Sequence, residues 1–484
     1  MSSEVQTLHV FFFPFLAHGH MIPTVDTAKL FVEKGAKATI ITTPFNASLI
    51  SKTIGKAKTS SNMIRVQTID FPSAEAGLPN GCENSDSITS GDLFPAFFKA
   101  CGLLQKPLEK LLLEQHPHCV VADVLFPWAI DSAAKFGIPT LMFDTGSFFS
   151  LCVSECMRVY KPYKNVSSDS EPFVIPNLPG EIKMTRMQVS PDVMSDESHS
   201  VTTLLEEVEG SKLRSYGVVV NSFYELEKAY VDHFRKVLGR KAWHIGSVSL
   251  CNRDTEEKTH RGMEVSSDAH ECLKWLDKKK ANSVIYVCFG TITKFPNSQL
   301  KDIAMGLEAS GQQFIWVVRK SKEDGEQGAK WLPDGFERRM EGKGLIITGW
   351  APQMLILEHE AIGAFVTHCG WNSILEGVTA GVPMVTWPIA FEQFFNEKLV
   401  TEVLKIGIPV GVKKWVAIVG DSIKWDAMEE VVKRIMIGEE ANEMRSKAKV
   451  LSQLAKQAVE EGGSSYSDLN ALIAELGSLT RSNE

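Results

Sequence analysis

Short apolar runs, rich in β-branched and aromatic residues, alternate along nearly the whole chain with stretches whose apolar positions recur every three or four residues. In the first half the runs are HVFFFPF, KATIITT, HCVVADV, PTLMF and GVVVNS. Between the first two, Ile22, Val25, Ala28 and Val32 share one face of an expected helix. The pattern restarts with SVIYVCFG, QFIWVVR, GLIITGW, GAFVTHC and PMVTW. Such alternation predicts an α/β fold with parallel sheets built from βαβ units.

Polar stretches punctuate this pattern. CNRDTEEKTHRGMEVSSDAH lies between the two halves and reads as a linker, whereas YKNVSSDSEP and RKSKEDGEQGAK read as long surface loops. In the tail, Met444, Ala448, Leu451 and Leu454 line one helix. After the breaker EEGGSSYS, Leu469, Leu472, Ile473 and Leu476 line another. A chain of 484 residues exceeds one ordinary core. The expected organisation is a domain over 1–250, a linker over 251–265, a second domain over 266–462 and a helix over 463–484 packing back toward the first domain. Two such domains predict Rossmann-like parallel sheets facing across a cleft, with ligands at the carboxyl ends of the strands.

Composition narrows the classes. Hydrophobic residues make up 44% and charged residues 23%, enough to fill two cores. A formal charge of −8 without a basic stripe argues against nucleic acid. The nine cysteines are scattered and form no CxxC pair, so neither a disulfide framework nor a zinc site is indicated, and a reduced, cytoplasmic protein is expected. The opening apolar run is too short for a membrane span, and no basic leader precedes it. A monomer is expected.

Chemistry concentrates in FVTHCGWNSILEGVTAGVPMVTWPIAFEQ, which reads as strand, turn, helix, strand and loop. Asn372 and Ser373 are good N-cap types and could serve only the helix. With His368, the N–H groups of the helix start and its dipole, they also form a receptor for a diphosphate. The dipole contributes about 0.5–1 kcal/mol, and each preorganised donor at a developing negative charge about 3 kcal/mol. Glu376, one turn on, is a solvated glutamate or an acceptor for the two hydroxyls of a ribose. In ITGWAPQMLILEH, Trp350 is a core residue or a platform for a flat base, with Gln353 and nearby backbone groups reading the base edge. In LAHGHMIP, His18 and His20 end the first strand; a metal reading of the pair lacks carboxylate or cysteine partners at ligand spacing. Asp123 ends the strand HCVVAD and is a cap, a loop residue or a partner for a histidine.

From Trp350 to Gln393, through WAPQ, HCGWNS, EG and the closing EQ, the chain resembles the signature box of plant family 1 UDP-dependent glycosyltransferases. PFLAHGHMIP, VVADVLFPWAIDSAAKFGIP and YVCFGT extend the resemblance over essentially the whole sequence. It implies the GT-B fold, an acceptor-binding first domain and a UDP-sugar-binding second one. It implies uracil on Trp350 and Gln353 and ribose on Glu376, with Ala351 also in the UDP-sugar site. Phosphates then fall on Thr291, His368, Asn372 and Ser373, and sugar hydroxyls on Trp371, Glu392 and Gln393. It selects His20 as general base and Asp123 as its orienting carboxylate. Trp371 with a final glutamine resembles glucose-using members. Phe391 stands where the family more often has a small residue, and Cys288 where a serine is usual.

The implied reaction is inverting transfer of glucose from a UDP-sugar to a hydroxyl of a lipophilic plant metabolite, a flavonoid or a triterpenoid or steroidal aglycone, with no metal and no cofactor. UDP-galactose or UDP-glucuronic acid as donor, and a catalytically silent carrier, remain alternatives. A nucleotide-dependent dehydrogenase is disfavoured because no GxGxxG follows the first strand.

Overall fold

The computed structural model describes residues 7–55, 63–88, 91–197, 200–263, 267–318 and 331–482. Fifteen strands among the described residues are numbered in chain order. Those of the first sheet are β1 (His9–Phe13), β2 (Lys37–Thr42), β3 (Ile64–Thr68), β4 (Cys119–Asp123), β5 (Thr140–Asp144), β8 (Gly217–Val220) and β9 (Ala242–His244). They form a seven-stranded parallel sheet in the order β3-β2-β1-β4-β5-β8-β9. A two-stranded antiparallel ribbon joins β6 (Phe173–Val174) to β7 (Lys183–Met184). The second sheet holds β10 (Val284–Cys288), β11 (Gln313–Val318), β12 (Gly344–Thr348), β13 (Ile362–Thr367), β14 (Met384–Thr386) and β15 (Gly407–Pro409). It is six-stranded and parallel, in the order β12-β11-β10-β13-β14-β15.

The chain groups into two compact units. One comprises 1–148, 195–262 and 458–484, and the other 149–194 and 263–457. Residues 149–194, which fall inside the 1–250 segment expected from the sequence, therefore group with the second sheet. Every apolar run named above became a strand. The strands β3, β9 and β15 carried no such signal. IRVQT is half polar on a sheet edge, and the other two are only three residues long.

The central strand β1 shows why these runs are apolar throughout. Val10 and Phe12 point into a cluster with Met21, Val25, Ala28 and Phe31 of the helix His18–Glu33. Phe11 and Phe13 point the other way, toward Phe97, Phe126 and Ala129. Helices on both faces leave a parallel strand no wet side. Leu469, Leu472 and Leu476 of the C-terminal helix Ser464–Ser482 join the first cluster. Asp468 of that helix pairs with Arg235 and accepts the backbone N–H of His244 at 3.0 Å. In the second unit, the helices Asn297–Ser310 and Trp425–Ile437 approach closely at Gly306, where a Cβ would lie 2.6 Å from that of Met428.

The polar stretch after β9 is not a bare connector. Cys251 and Asn252 are buried, and Thr255–Thr259 is helical. Asp26, wholly buried in the first helix, accepts hydrogen bonds from Arg261 Nε at 2.8 Å and Asn252 Nδ2 at 2.9 Å, while Lys29 Nζ donates to Asn252 Oδ1 at 2.8 Å. Part of its polarity, at Asn252 and Arg261, serves pairing with a buried aspartate rather than solvation. The expected loop RKSKEDGEQGAK lies outside the described residues. No helix among the described residues is long and apolar enough to cross a membrane.

Candidate active site

β1 and β4 are adjacent and parallel, with Phe13 opposite Ala122, so the segment leaving β1 meets the carboxyl end of β4. His20 lies in the first turn of the helix after β1, and Asp123 is the last residue of β4. Nδ1 of His20 is 2.8 Å from Oδ2 of Asp123, whose side chain is fully buried while that of the histidine is 23% exposed. The other oxygen, Oδ1, accepts the backbone N–H of Leu125 at 3.0 Å, which fixes the carboxylate's rotation. A carboxylate on Nδ1 places the ring proton there and the lone pair on Nε2. The Phe15 ring packs edge-on against the imidazole at 5.3 Å, and Thr145 Oγ1 lies 3.5 Å from Nδ1.

His18 has a different partner. Its Nδ1 and its backbone N–H both meet Oδ2 of Asp86, the latter at 3.2 Å, in a buried pair. It ties the segment after Asn84 to the start of the first helix, a role that its sequence neighbours did not signal.

In the second sheet, β10 and β13 are neighbours with Cys288 opposite Thr367. Thr291 and His368 therefore lie just past adjacent strand ends, and Thr291 is half-buried. The His368 ring occupies a slot between two glycines. A Cβ on Gly290 would lie 2.6 Å from its Cε1 and Nε2, and one on Gly370 would overlap Nε2. Gly290 has φ of 70°, but Gly370 has an ordinary φ of −62°, so there the requirement is purely steric. Burial pulls the imidazole down to about 4, and its buried Nδ1 has no hydrogen-bond partner among the described residues. His368 is thus a neutral ring at neutral pH.

The helix Trp371–Ala380 begins immediately after, with Gly370 as N-cap and no side-chain cap. Asn372 and Ser373 lie inside its first turn, so the capping alternative does not account for them. Trp371 is 2% exposed, which leaves the backbone at the helix start as what this position can offer a ligand. Gln353 Nε2 donates to Glu376 Oε2 at 2.7 Å and to Ser373 Oγ at 3.3 Å, and its Oε1 accepts from the Tyr286 hydroxyl at 3.3 Å. The amide therefore orients the Glu376 carboxylate. Trp350 is half-buried just beyond β12, and Ala351 is buried beside it.

Beyond β14, Phe391 adopts a left-handed φ of 56° with its ring 55% exposed. Glu392 precedes the helix Gln393–Lys398 and is half-buried. Gln393 Oε1 accepts the N–H groups of Ile389 at 2.8 Å and Ala390 at 3.0 Å, so its amide nitrogen is the group it can present. Glu397 is buried, accepts the Thr386 hydroxyl at 2.8 Å, and is pushed up to about 7 by burial. All nine cysteines are free; eight are buried, and Cys288 is only partly so.

A family model described as UDP-glucoronosyl and UDP-glucosyl transferase matches residues 238–433. The chain is 56% identical over 469 residues to scopoletin glucosyltransferase of Nicotiana tabacum, covering 97% of this chain and 98% of the other. It is 58% identical over 487 residues to UDP-glucose flavonoid 3-O-glucosyltransferase 7 of Fragaria ananassa, covering 99% and 98%. The crystal structure of Glycyrrhiza uralensis UGT73P12 complexed with glycyrrhetinic acid 3-O-monoglucuronide superposes with a TM-score of 0.91 at 42% identity, covering 99% of this chain and 98% of that one. Two parallel-sheet units with the box residues at strand ends define a GT-B enzyme. The chain belongs to the plant UDP-glycosyltransferases.

Of the residues named from the sequence, the structure joins His20 to Asp123 and Gln353 to Glu376 and Ser373. Trp350, Thr291, Asn372 and Glu392 stand at the expected strand and helix ends. Sequence reasoning missed Asp86, Tyr286 and the glycine slot, which join residues distant in sequence and leave no local spacing to read.

Proposed function

We propose that this enzyme transfers glucose from UDP-glucose to a hydroxyl of a lipophilic plant metabolite, with inversion to a β-glycoside and without metal or cofactor. That its scopoletin and flavonoid relatives are glucosyltransferases supports glucose and a phenolic acceptor. The Nδ1–Oδ2 contact of 2.8 Å between His20 and Asp123 is the observation that most supports the chemistry.

In this reading His20 Nε2 takes the proton of the acceptor hydroxyl, and Asp123 stabilises the imidazolium that forms. The oxygen forms its bond to the anomeric carbon as the bond to the diphosphate breaks on the opposite face. UDP leaves as an anion toward His368, Asn372, Ser373 and Thr291. His368 supplies an N–H rather than a charge, because its imidazole stays neutral. The positive end there is the start of the helix Trp371–Ala380. Glu376 accepts the ribose hydroxyls, oriented by Gln353. Uracil then stacks on Trp350, and the backbone at Ala351 reads its edge. Glu392 and the Gln393 amide receive sugar hydroxyls, with Trp371 contributing its main chain. A cytoplasmic monomer with reduced thiols fits this reading.

Purified protein offered UDP-glucose, UDP-galactose or UDP-glucuronic acid with a panel of phenolic and triterpenoid acceptors, read by mass spectrometry, tests it. A glucoside with β-anomeric coupling in the NMR spectrum, formed undiminished in EDTA, is expected. Formation of an α-glycoside, or loss of turnover in EDTA restored by a divalent ion, overturns the scheme.

A further inference from the structure

Asn396 has no role in the assignments above, yet its side chain is fully buried and touches both ends of the proposed donor site. Nδ2 donates to the carbonyl of Cys369 at 3.0 Å and, over a longer 3.4 Å, to Oε1 of Glu392. A primary amide nitrogen carries two hydrogens, so one group serves both acceptors at once.

What it holds is unusual at each end. Cys369 lies between His368 and Gly370 with φ of 66°, a left-handed backbone that a non-glycine residue keeps only when its surroundings enforce it. Its N–H donates to Thr367 Oγ1 at 3.3 Å, and the bond from Asn396 to its carbonyl is the tie on the other side. Glu392 comes directly after Phe391, whose φ of 56° is left-handed too. Two strained turns are thus bridged by one buried amide, itself 27 residues along the chain from Cys369.

We propose that Asn396 is a positioning residue for donor-sugar selection. It fixes the separation between the turn that receives the diphosphate and the carboxylate that receives sugar hydroxyls. The inference rests on the donor assignment made above. A nucleotide sugar has a set distance between its phosphates and its ring hydroxyls. A site that tells one hydroxyl epimer from another must therefore hold both receivers in register. An amide that only satisfied a buried carbonyl would influence stability and leave sugar preference alone.

Asn396→Asp and Asn396→Ser in the full chain test this. Measured with one phenolic acceptor are kcat/KM for UDP-glucose and for UDP-galactose, the Kd of UDP by calorimetry, and the thermal midpoint, from pH 5.5 to 8.5. The carboxyl introduced by N396D is nearly isosteric but donates only while protonated. It would face Glu392 and the Cys369 carbonyl, next in sequence to Glu397, on which Lys398 and Glu402 act electrostatically. At pH 8 the glucose-to-galactose preference should fall about tenfold or more and UDP should bind about tenfold more weakly, each partly recovering as pH falls. N396S should lower the preference equally at every pH, and it carries the test alone if N396D does not fold. Folded variants with wild-type preference and UDP affinity, or an N396D defect that ignores pH, overturn the proposal. Wild-type protein that transfers neither sugar overturns the donor assignment and the proposal with it.

Discussion

His20 and His368 both lie just past the carboxyl end of a parallel strand, one in each sheet, and the chain surrounds them in opposite ways. His20 has a buried carboxylate on Nδ1 and a partly exposed ring. His368 has two glycines close to its Nε2 and Cε1, no partner for its buried Nδ1 among the described residues, and burial that pulls it down to about 4. In the proposed reaction the carboxylate beside the first would steady an imidazolium, whereas burial disfavours one at the second. In the proposed reaction one residue type would thereby serve as a base that must become charged and as a donor that must not. Surroundings, not residue type, divide the labour.

The strongest way to break the comparison is to remove each ring in turn. His20→Ala should lower kcat/KM with a phenolic acceptor by about 10²–10⁴-fold and leave the calorimetric Kd of UDP unchanged. His368→Ala should weaken UDP itself. If both variants lose UDP equally, the two histidines do not divide the work as described.

A second way is through pH and stability. The unfolded His368 gains its proton near 6.5 and the folded one near 4, so stability is lost as pH drops through that window, by about 3 kcal/mol in full. Glu397 runs the other way. Unfolded, it gives up its proton near 4.5, and folded near 7, so the native state holds an extra proton between and loses stability as pH rises through that range. The two trends oppose, and the wild-type profile should be shallow. Glu397→Gln keeps an acceptor for Thr386 and removes the second trend. Its thermal midpoint relative to wild type should climb from pH 4.5 to 7 and stay level above. A difference that is constant with pH would show that Glu397 is ionised like any surface carboxyl.

The third and smallest effect probes the slot. Gly370→Ala meets no backbone strain at φ of −62°, only the imidazole. Overpacking of about 1–3 kcal/mol should displace the ring and weaken UDP, while His20-dependent proton transfer keeps its pH profile. Unchanged UDP affinity in G370A would mean that the ring's position in the slot is immaterial.

Much of this was readable before any coordinates. Apolar runs such as HVFFFPF and GAFVTHC marked the central strands because both of their faces are covered. The parallel alternation then dictated that chemistry gather at strand ends, which is where His20, Asp123, Trp350 and His368 stand. Edge strands and three-residue strands escaped because their pattern is half polar or too brief. The burial of Trp371 was invisible because an indole at a helix start reads alike whether it faces core or ligand. Gln353 looked like a base reader, and only the fold shows its amide on Glu376. The glycine slot and the Asn396 bridge join residues distant in sequence, which no local period encodes.

The stapling of residues 251–262 onto the first helix has a practical corollary for chimaeras. That short polar segment belongs chemically to Asp26 and Lys29, so a splice intended to graft another relative's nucleotide half should fall after residue 262. A junction placed earlier would strand an aspartate in the interior without Arg261, a fault of about 3–5 kcal/mol lodged in the very helix whose first turn carries His20.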